Sequence, residues 1–204
     1  MAYKIAILVG SLRKDSINRK VARSICALRG DNLKCSIIEI GDLPLYNEDL
    51  DGDDPPAQWT RFRDEVGAAD GVLFVSPEYN RGVPGVLKNA IDIGSRPYGK
   101  SVFDQKPAAI VTASPGSIGG FGSNHQIRQA AVFLNMPVMQ QPEAYLGHVS
   151  GDSFDADGRL KEGPLREIVT KVACAFHDWV QMIFRARELL LHDAAKEEEE
   201  AETT

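Results

Sequence analysis

The sequence predicts an open, doubly wound α/β sandwich: five parallel strands in the order 2-1-3-4-5, with helices on both faces. Three observations carry this. Short apolar runs alternate with segments whose apolar residues recur at three- and four-residue steps. The run GVLFVS at 71–76 is nearly all apolar rather than alternating, as expected of a parallel strand covered on both faces. Each chemically unusual turn follows a strand, on the side of the sheet where such folds bind ligands.

The first strand, Ile5 to Val9, ends at Gly10, and a polar loop leads into a helix from Ile17 that Asp15 or Ser16 is placed to cap. Val21, Ile25 and Leu28 complete one buried stripe with Ile17, which stops near Gly30. CSIIEI at 35–40 is the second strand. GDLPLYNEDLDGDDPP at 41–56 is too rich in Gly, Pro and Asp for regular structure, and long for a plain connection. Pro55 and Pro56 suit the start of a helix running to about Ala69, with Trp59, Phe62 and Val66 inward.

The third strand, 71–76, opens into PEYNRGVPG and then the helix GVLKNAIDIGS. With Val83, that helix carries Val86, Leu87, Ala90, Ile91 and Ile93, a wider stripe than one sheet face requires, which predicts a second buried surface and hence a homodimer at minimum. KPAAIVT at 106–112 is the fourth strand and opens into the glycine-rich ASPGSIGGFGS before a helix at 124–134. The fifth strand is expected around Pro137 to Gln141. A last helix starts at Pro164 and is expected to bury Leu165, Ile168, Val172, Phe176, Trp179 and Ile183. Right-handed crossovers between parallel strands give the predicted topology.

Length and composition fit one domain. The chain has 204 residues and 43% hydrophobic content, read as a domain over 1–190 followed by an acidic, disordered tail over 191–204. A net charge of -6 and a pI near 5.3, with no basic stripe, argue against nucleic acid as the main partner. No run reaches the length of a membrane span and the N-terminus lacks the regions of a secretion signal, so a cytoplasmic protein is the default expectation. Cys26, Cys35 and Cys174 are odd in number and widely spaced, which suggests packing residues rather than a disulfide or zinc site. His148, His177 and His192 lack ligand-spaced neighbours, so no metal is expected.

The turns after strands one, three and four converge on one end of the sheet. The first, SLRKDSIN, joins a helix N-terminus to hydroxyl, amide and guanidinium donors, a combination suited to a terminal phosphate. It is neither GxGxxG nor a Walker loop. The second offers Glu78, Tyr79 and Asn80, with backbone N–H groups held by Pro77 and Gly82, as edge-reading groups for a flat heteroaromatic ring. The third, with Gly116, Gly119, Gly120 and Gly122, lets backbone approach a planar ligand. Phosphate at one end and a planar ring at the other match FMN. No GxSxG, no HExxH and no cysteine in the phosphate loop point to hydrolysis.

GSLRKDSIN, LPLYNED, SPEYNRGVPGVLKNAIDIGSRP, SPGSIGGFG and FDADGRL together resemble the NAD(P)H-dependent FMN reductase family, in particular its quinone and chromate reductase branch. The resemblance runs from about residue 3 to 185. It implies a flavodoxin-like fold with one non-covalent FMN per subunit. Ser11, Arg13, Ser16, Ile17 and Asn18 would hold the phosphate, and Pro77, Glu78, Tyr79 and Asn80 the isoalloxazine. Ser114, Gly116, Ser117, Gly119 and Gly120 would lie along the far side of the ring. It also implies a homodimer or homotetramer in which a neighbouring subunit helps to wall the flavin.

The expected activity is two-electron transfer from NAD(P)H to a quinone or a similar acceptor, chromate, azo compounds and free flavin included, with ping-pong kinetics. The hydride chemistry would reside on FMN, so no catalytic side chain is named, although Tyr79 would border the ring. A non-enzymatic electron carrier of flavodoxin type is the alternative. It would be expected to flank its flavin with bulky aromatics, where this chain has mostly glycine and serine after strand four. His125 is read as a helix-start surface residue or a substrate contact. Arg81 and Arg96 could meet a dinucleotide phosphate or only solvent, and Arg128 and Glu143 could pair across an interface.

Overall fold

Strand β1 (Tyr3–Val9) lies between β2 (Leu33–Ile38) and β3 (Gly71–Ser76), and β4 (Ala108–Ala113) and β5 (Ala144–Leu146) extend the sheet beyond β3, all parallel. This is the 2-1-3-4-5 order expected from the sequence. The computed structural model describes residues 2–202, and at 197 and 199–202 the backbone alone. Helices α1 (Ile17–Arg29) and α5 (Pro164–Glu202) cover one face, where Ile5, Ile7 and Val9 meet Val21, Ile25, Val172 and Phe176. Helices α2 (Ala57–Gly67), α3 (Gly85–Gly94) and α4 (Phe121–Phe133) cover the other, where Leu8, Val72 and Phe74 meet Trp59, Phe62, Leu87 and Ile127. Every residue of β3 and β4 is buried, which explains why their sequences do not alternate.

Local chemistry sets the helix ends. Ser16 Oγ accepts the Arg19 N–H at 3.2 Å and so caps α1, and Gly30 closes it with φ 47°. At the end of α2, Lys106 Nζ donates to Gly67 O at 2.9 Å and to Ala69 O at 2.6 Å, placing a cation on the negative pole of that helix. Burial lowers the Lys106 pKa from its ordinary value, with Asp70 opposing and Arg187 adding to the shift.

The irregular stretch at 41–56 is tied down by buried polar groups. Asn89 of α3 donates to Leu43 O and Pro44 O and accepts from Tyr46 N at 2.8 Å. Trp59 Nε1 donates to Pro44 O at 3.0 Å, and Arg63 pairs with the nearly buried Asp51 at 2.8 Å. Three backbone groups of a loop that crosses apolar side chains thereby find partners.

Several expectations are corrected. The fifth strand is Ala144–Leu146, not 137–141; the earlier segment makes only an isolated bridge, Val138 to Ala108. Pro137 and Pro142 lack the N–H that a continuous ladder needs. Helix α4 begins at Phe121, three residues before the expected 124. In α5 the inward residues are Val169, Val172, Ala173, Phe176 and Val180, while Ile168 is 44% exposed. It lies about 100° around the helix from Val169, at the margin of the stripe. Cys26 and Cys35, expected as separate packing residues, form a disulfide between α1 and β2 with Cα atoms 6.1 Å apart. The chain turns back after α1 through Gly30, and that return, invisible to spacing rules, brings the two thiols together. Beyond residue 190, helix α5 runs on to Glu202 without a break at the expected domain boundary.

Candidate functional site

The first turn starts where β1 passes the end of β3. Gly10 N donates to Val75 O at 2.9 Å, and a Cβ at Gly10 would lie 2.6 Å from Ser76 Oγ, so the chain can leave the sheet there only without a side chain. Ser11, Ser16 and Asn18 are buried, Ile17 is half-buried and Arg13 is exposed. The N–H groups of the first turn of α1 face this loop, as do those of any helix start. Asn18 Nδ2 donates to Ala113 O at 3.1 Å, fixing α1 against β4. Its Oδ1 is buried with no partner among the described residues.

The second turn is a two-residue hairpin. Tyr79 N–H donates to Gly82 O and Gly82 N–H to Tyr79 O, each at 3.0 Å, around Asn80 (φ 50°) and Arg81 (φ 66°). A left-handed Arg is costly, which marks this turn as held by its surroundings. Glu78 supplies part of the hold. Its Oε2 accepts the Ser123 N–H at 3.2 Å, at the positive end of α4, and its Oε1 accepts from Arg81 Nη1 at 3.3 Å. Ser76 Oγ and Ser123 Oγ lie 3.1 Å apart beneath it. Tyr79 is 49% exposed and leans into the cleft.

The glycines of the third turn, expected to let backbone approach a ligand, serve packing at two positions. A Cβ at Gly119 (φ +65°) would lie 2.5 Å from the Tyr145 carbonyl carbon, and one at Gly120 (φ +84°) 2.8 Å from Thr112 Cβ. These two glycines make room for β4 and β5. Gly116 differs, since the nearest atom to its added Cβ would be Ser114 Oγ at 3.7 Å. Ser114 Oγ donates to Gly116 O at 3.1 Å, and Ser117 O abuts Gly147.

Beside this turn, Phe121, His125 and Tyr145 form an aromatic cluster. Tyr145 Oη donates to Glu143 at 2.8 Å and lies 3.1 Å from His125 Nε2. Burial first, then the Glu143 hydrogen bond and charge, push the Tyr145 pKa up. Arg128 is committed within its own chain, to Asn124 Oδ1 at 2.9 Å and Met139 O at 3.3 Å.

Together the turns enclose a cleft of about 400 Å³. Ser11, Arg13, Ser16, Ile17, Asn18, Pro77, Glu78, Tyr79 and Ser114 line it. Asn80, Gly116, Ser117, Gly119 and Gly120 do not line the cleft itself; they belong to the two turns that form its wall. Val149, Ser150 and Gly151, after β5, also line it, as do Asp15, Lys20, Ala113 and Pro115, none of them among the expected binding residues. The rule that ligands meet the carboxyl ends of strands would have found the first three had the fifth strand been placed correctly. Arg96 lies away from the cleft, in a groove between α3 and α4.

The residues present fit FMN. A terminal phosphate needs converging donors, which Ser11, Ser16, Arg13 and the start of α1 supply. The orphaned Asn18 Oδ1 calls for a ligand donor such as a ribityl hydroxyl. Among the described residues no group of acidic, cysteine or histidine side chains is arranged to hold a metal ion.

Comparison with known proteins agrees. A family model described as NADPH-dependent FMN reductase matches residues 3–151. A quinone reductase of Pseudomonas putida is 55% identical over 180 residues, spanning 88% of this chain and 96% of its own. A 2-hydroxy-1,4-benzoquinone reductase of a Burkholderia species is 40% identical, spanning 89% and 98%. FerB of Paracoccus denitrificans, a flavoenzyme NAD(P)H:(acceptor) oxidoreductase of solved structure, superposes with a TM-score of 0.84 at 36% identity, over 89% of this chain and 98% of its own.

Proposed function

The chain belongs to the NADPH-dependent FMN reductase family, and from that premise we propose that it passes two electrons from NAD(P)H to quinones at the cleft formed by the turns after β1, β3 and β4. It is an enzyme, an FMN-dependent NAD(P)H oxidoreductase with a flavodoxin-like fold, rather than a non-enzymatic carrier. The observation that carries the placement of the cofactor is the convergence of phosphate donors and a rigidly held PEYN turn on one cleft. When bound, FMN supplies the hydride chemistry.

The protein's own residues bind and orient. Ser11, Arg13, Ser16 and the N–H groups of Ile17 and Asn18 hold the phosphate, while Pro77 to Asn80 run along one edge of the ring. Ser114, Gly116 and Ser117 flank the ring's far side, and Gly119 and Gly120 set that turn by packing on Tyr145 and Thr112. Leu12, Tyr79, Ile118 and Phe121 are about half exposed on these turns, a rim that sheds water from a planar apolar acceptor. The quinone reductases of Pseudomonas putida and Burkholderia support a quinone as that acceptor. Chromate, azo compounds and free flavin are further acceptors within this reading, and a cytoplasmic setting belongs to it.

A homodimer or homotetramer is also part of the proposal. Most of the α3 stripe is consumed by the chain's own core, so the support shifts to α4, where Val132 and Phe133 are 77% and 78% exposed. Phe133 borders a groove of about 520 Å³ against α3. Light scattering should return at least a dimer at micromolar concentration.

Steady-state kinetics test the functional reading. One cleft that serves nicotinamide and acceptor in turn gives parallel initial-rate lines when NAD(P)H is varied at several benzoquinone concentrations. Intersecting lines would mean that both bind together and would overturn the shared-cleft reading.

A further inference from the structure

Helix α5 outruns the domain it packs on. Near the body the Phe184 ring lies 5.3 Å from that of Tyr3, and the Arg187 guanidinium donates to Gln105 O. From Glu188 to Glu202 the helix projects about 22 Å at ~1.5 Å per residue. Leu189, Leu190 and Leu191, at its root, are 65%, 69% and 72% exposed. A contiguous apolar cluster on a projecting helix calls for a partner. The Pseudomonas putida relative matches 180 of this chain's 204 residues and 96% of its own length.

The charges identify the partner. The segment is basic near the body, at Arg185 and Arg187, and acidic at its far end, where four glutamates follow Lys196 in the sequence. A second copy laid antiparallel brings each basic end against an acidic one. With His192 on the two-fold axis, Glu188 stands level with Lys196 of the second copy, and Glu198 falls between its Arg185 and Arg187. In that register Leu189, about 60° around the helix from His192, meets Ala195, so a large residue opposes a small one. A parallel pair would set acidic run against acidic run and arginine against arginine. We propose that the projecting part of α5 is a docking surface for the same segment of a second copy, paired antiparallel about His192, an isologous contact in which each end meets the other. The inference is independent of what the cleft binds.

Cysteine cross-linking in the full chain tests it, in a Cys174→Ser background. Under mild oxidation, His192→Cys should give a covalent dimer in high yield. Glu188→Cys alone should not, while Glu188→Cys combined with Lys196→Cys should. In sedimentation experiments without cross-linking, Leu189→Glu should halve the assembly mass and leave FMN binding unchanged. Glu188→Lys should weaken the same association, and adding Lys196→Glu should restore it. Equal cross-linking at 188 and 192, no cross-link at 192, or an unchanged mass for Leu189→Glu would each overturn the proposal.

Discussion

The backbone N–H of Ser123 donates to Glu78 Oε2 at 3.2 Å, so the turn after β3 is fastened to the start of the helix after β4. A carboxylate at the positive pole of α4, its side chain only 11% exposed, is worth about 1 kcal/mol. Glu78→Gln keeps the shape and removes the charge. The melting temperature should fall by about 2–4 °C, and FMN should bind several-fold more weakly because the turn loses its anchor. Unchanged values in thermal melts and flavin fluorescence titrations would show that the turn is held by other means.

Arg13 is the exposed cation of the first turn and has no hydrogen-bond or ion-pair partner among the described residues. A charge-assisted bond to phosphate is worth about 1.5–3 kcal/mol, so Arg13→Ala should weaken FMN by about tenfold to a hundredfold and leave riboflavin nearly unchanged. Equal losses for both flavins would place the phosphate elsewhere.

Gly116 and Gly119 separate ligand space from packing space. Gly119→Ala forces a left-handed alanine whose Cβ strikes the Tyr145 backbone, and should destabilise the fold by about 2–3 kcal/mol. Gly116→Leu meets no such obstacle. It should fold normally and bind FMN, yet raise KM for nicotinamide or quinone. Comparable melting temperatures for the two variants would remove this distinction.

Lys106 gives a pH signature. Burial lowers its folded-state pKa below the ordinary 10.5, so the native state releases its proton before the unfolded state does. The stability of the wild type relative to Lys106→Met should therefore rise as pH climbs through the folded pKa and level off above 10.5. Urea melts from neutral pH upward check the sign; a falling difference would contradict it.

Much of this was legible in the sequence because the signals are local. Unbroken apolar runs announced β3 and β4, and Ser16 announced the start of α1. The three turns could be assigned to one end of the sheet from topology alone. What escaped depends on distant neighbours. Glycines 119 and 120 looked like ligand space because nothing in the sequence says that Tyr145 and Thr112 fill it. The fifth strand escapes because the real one, Ala144–Leu146, is only three residues long and is set by its pairing with β4, and with it go Val149, Ser150 and Gly151. The Cys26–Cys35 bond and the Asn89 bridge to residues 43–46 arise where the chain folds back on itself.

The central claim, that FMN in this cleft accepts electrons from a nicotinamide and gives them to a quinone, is tested most directly by visible spectroscopy of the FMN-loaded protein without oxygen. One equivalent of NADPH or NADH should bleach the flavin band, and benzoquinone should restore it, while Arg13→Ala should do the same only at higher FMN concentration. A band that persists in the presence of both nicotinamides would contradict the account.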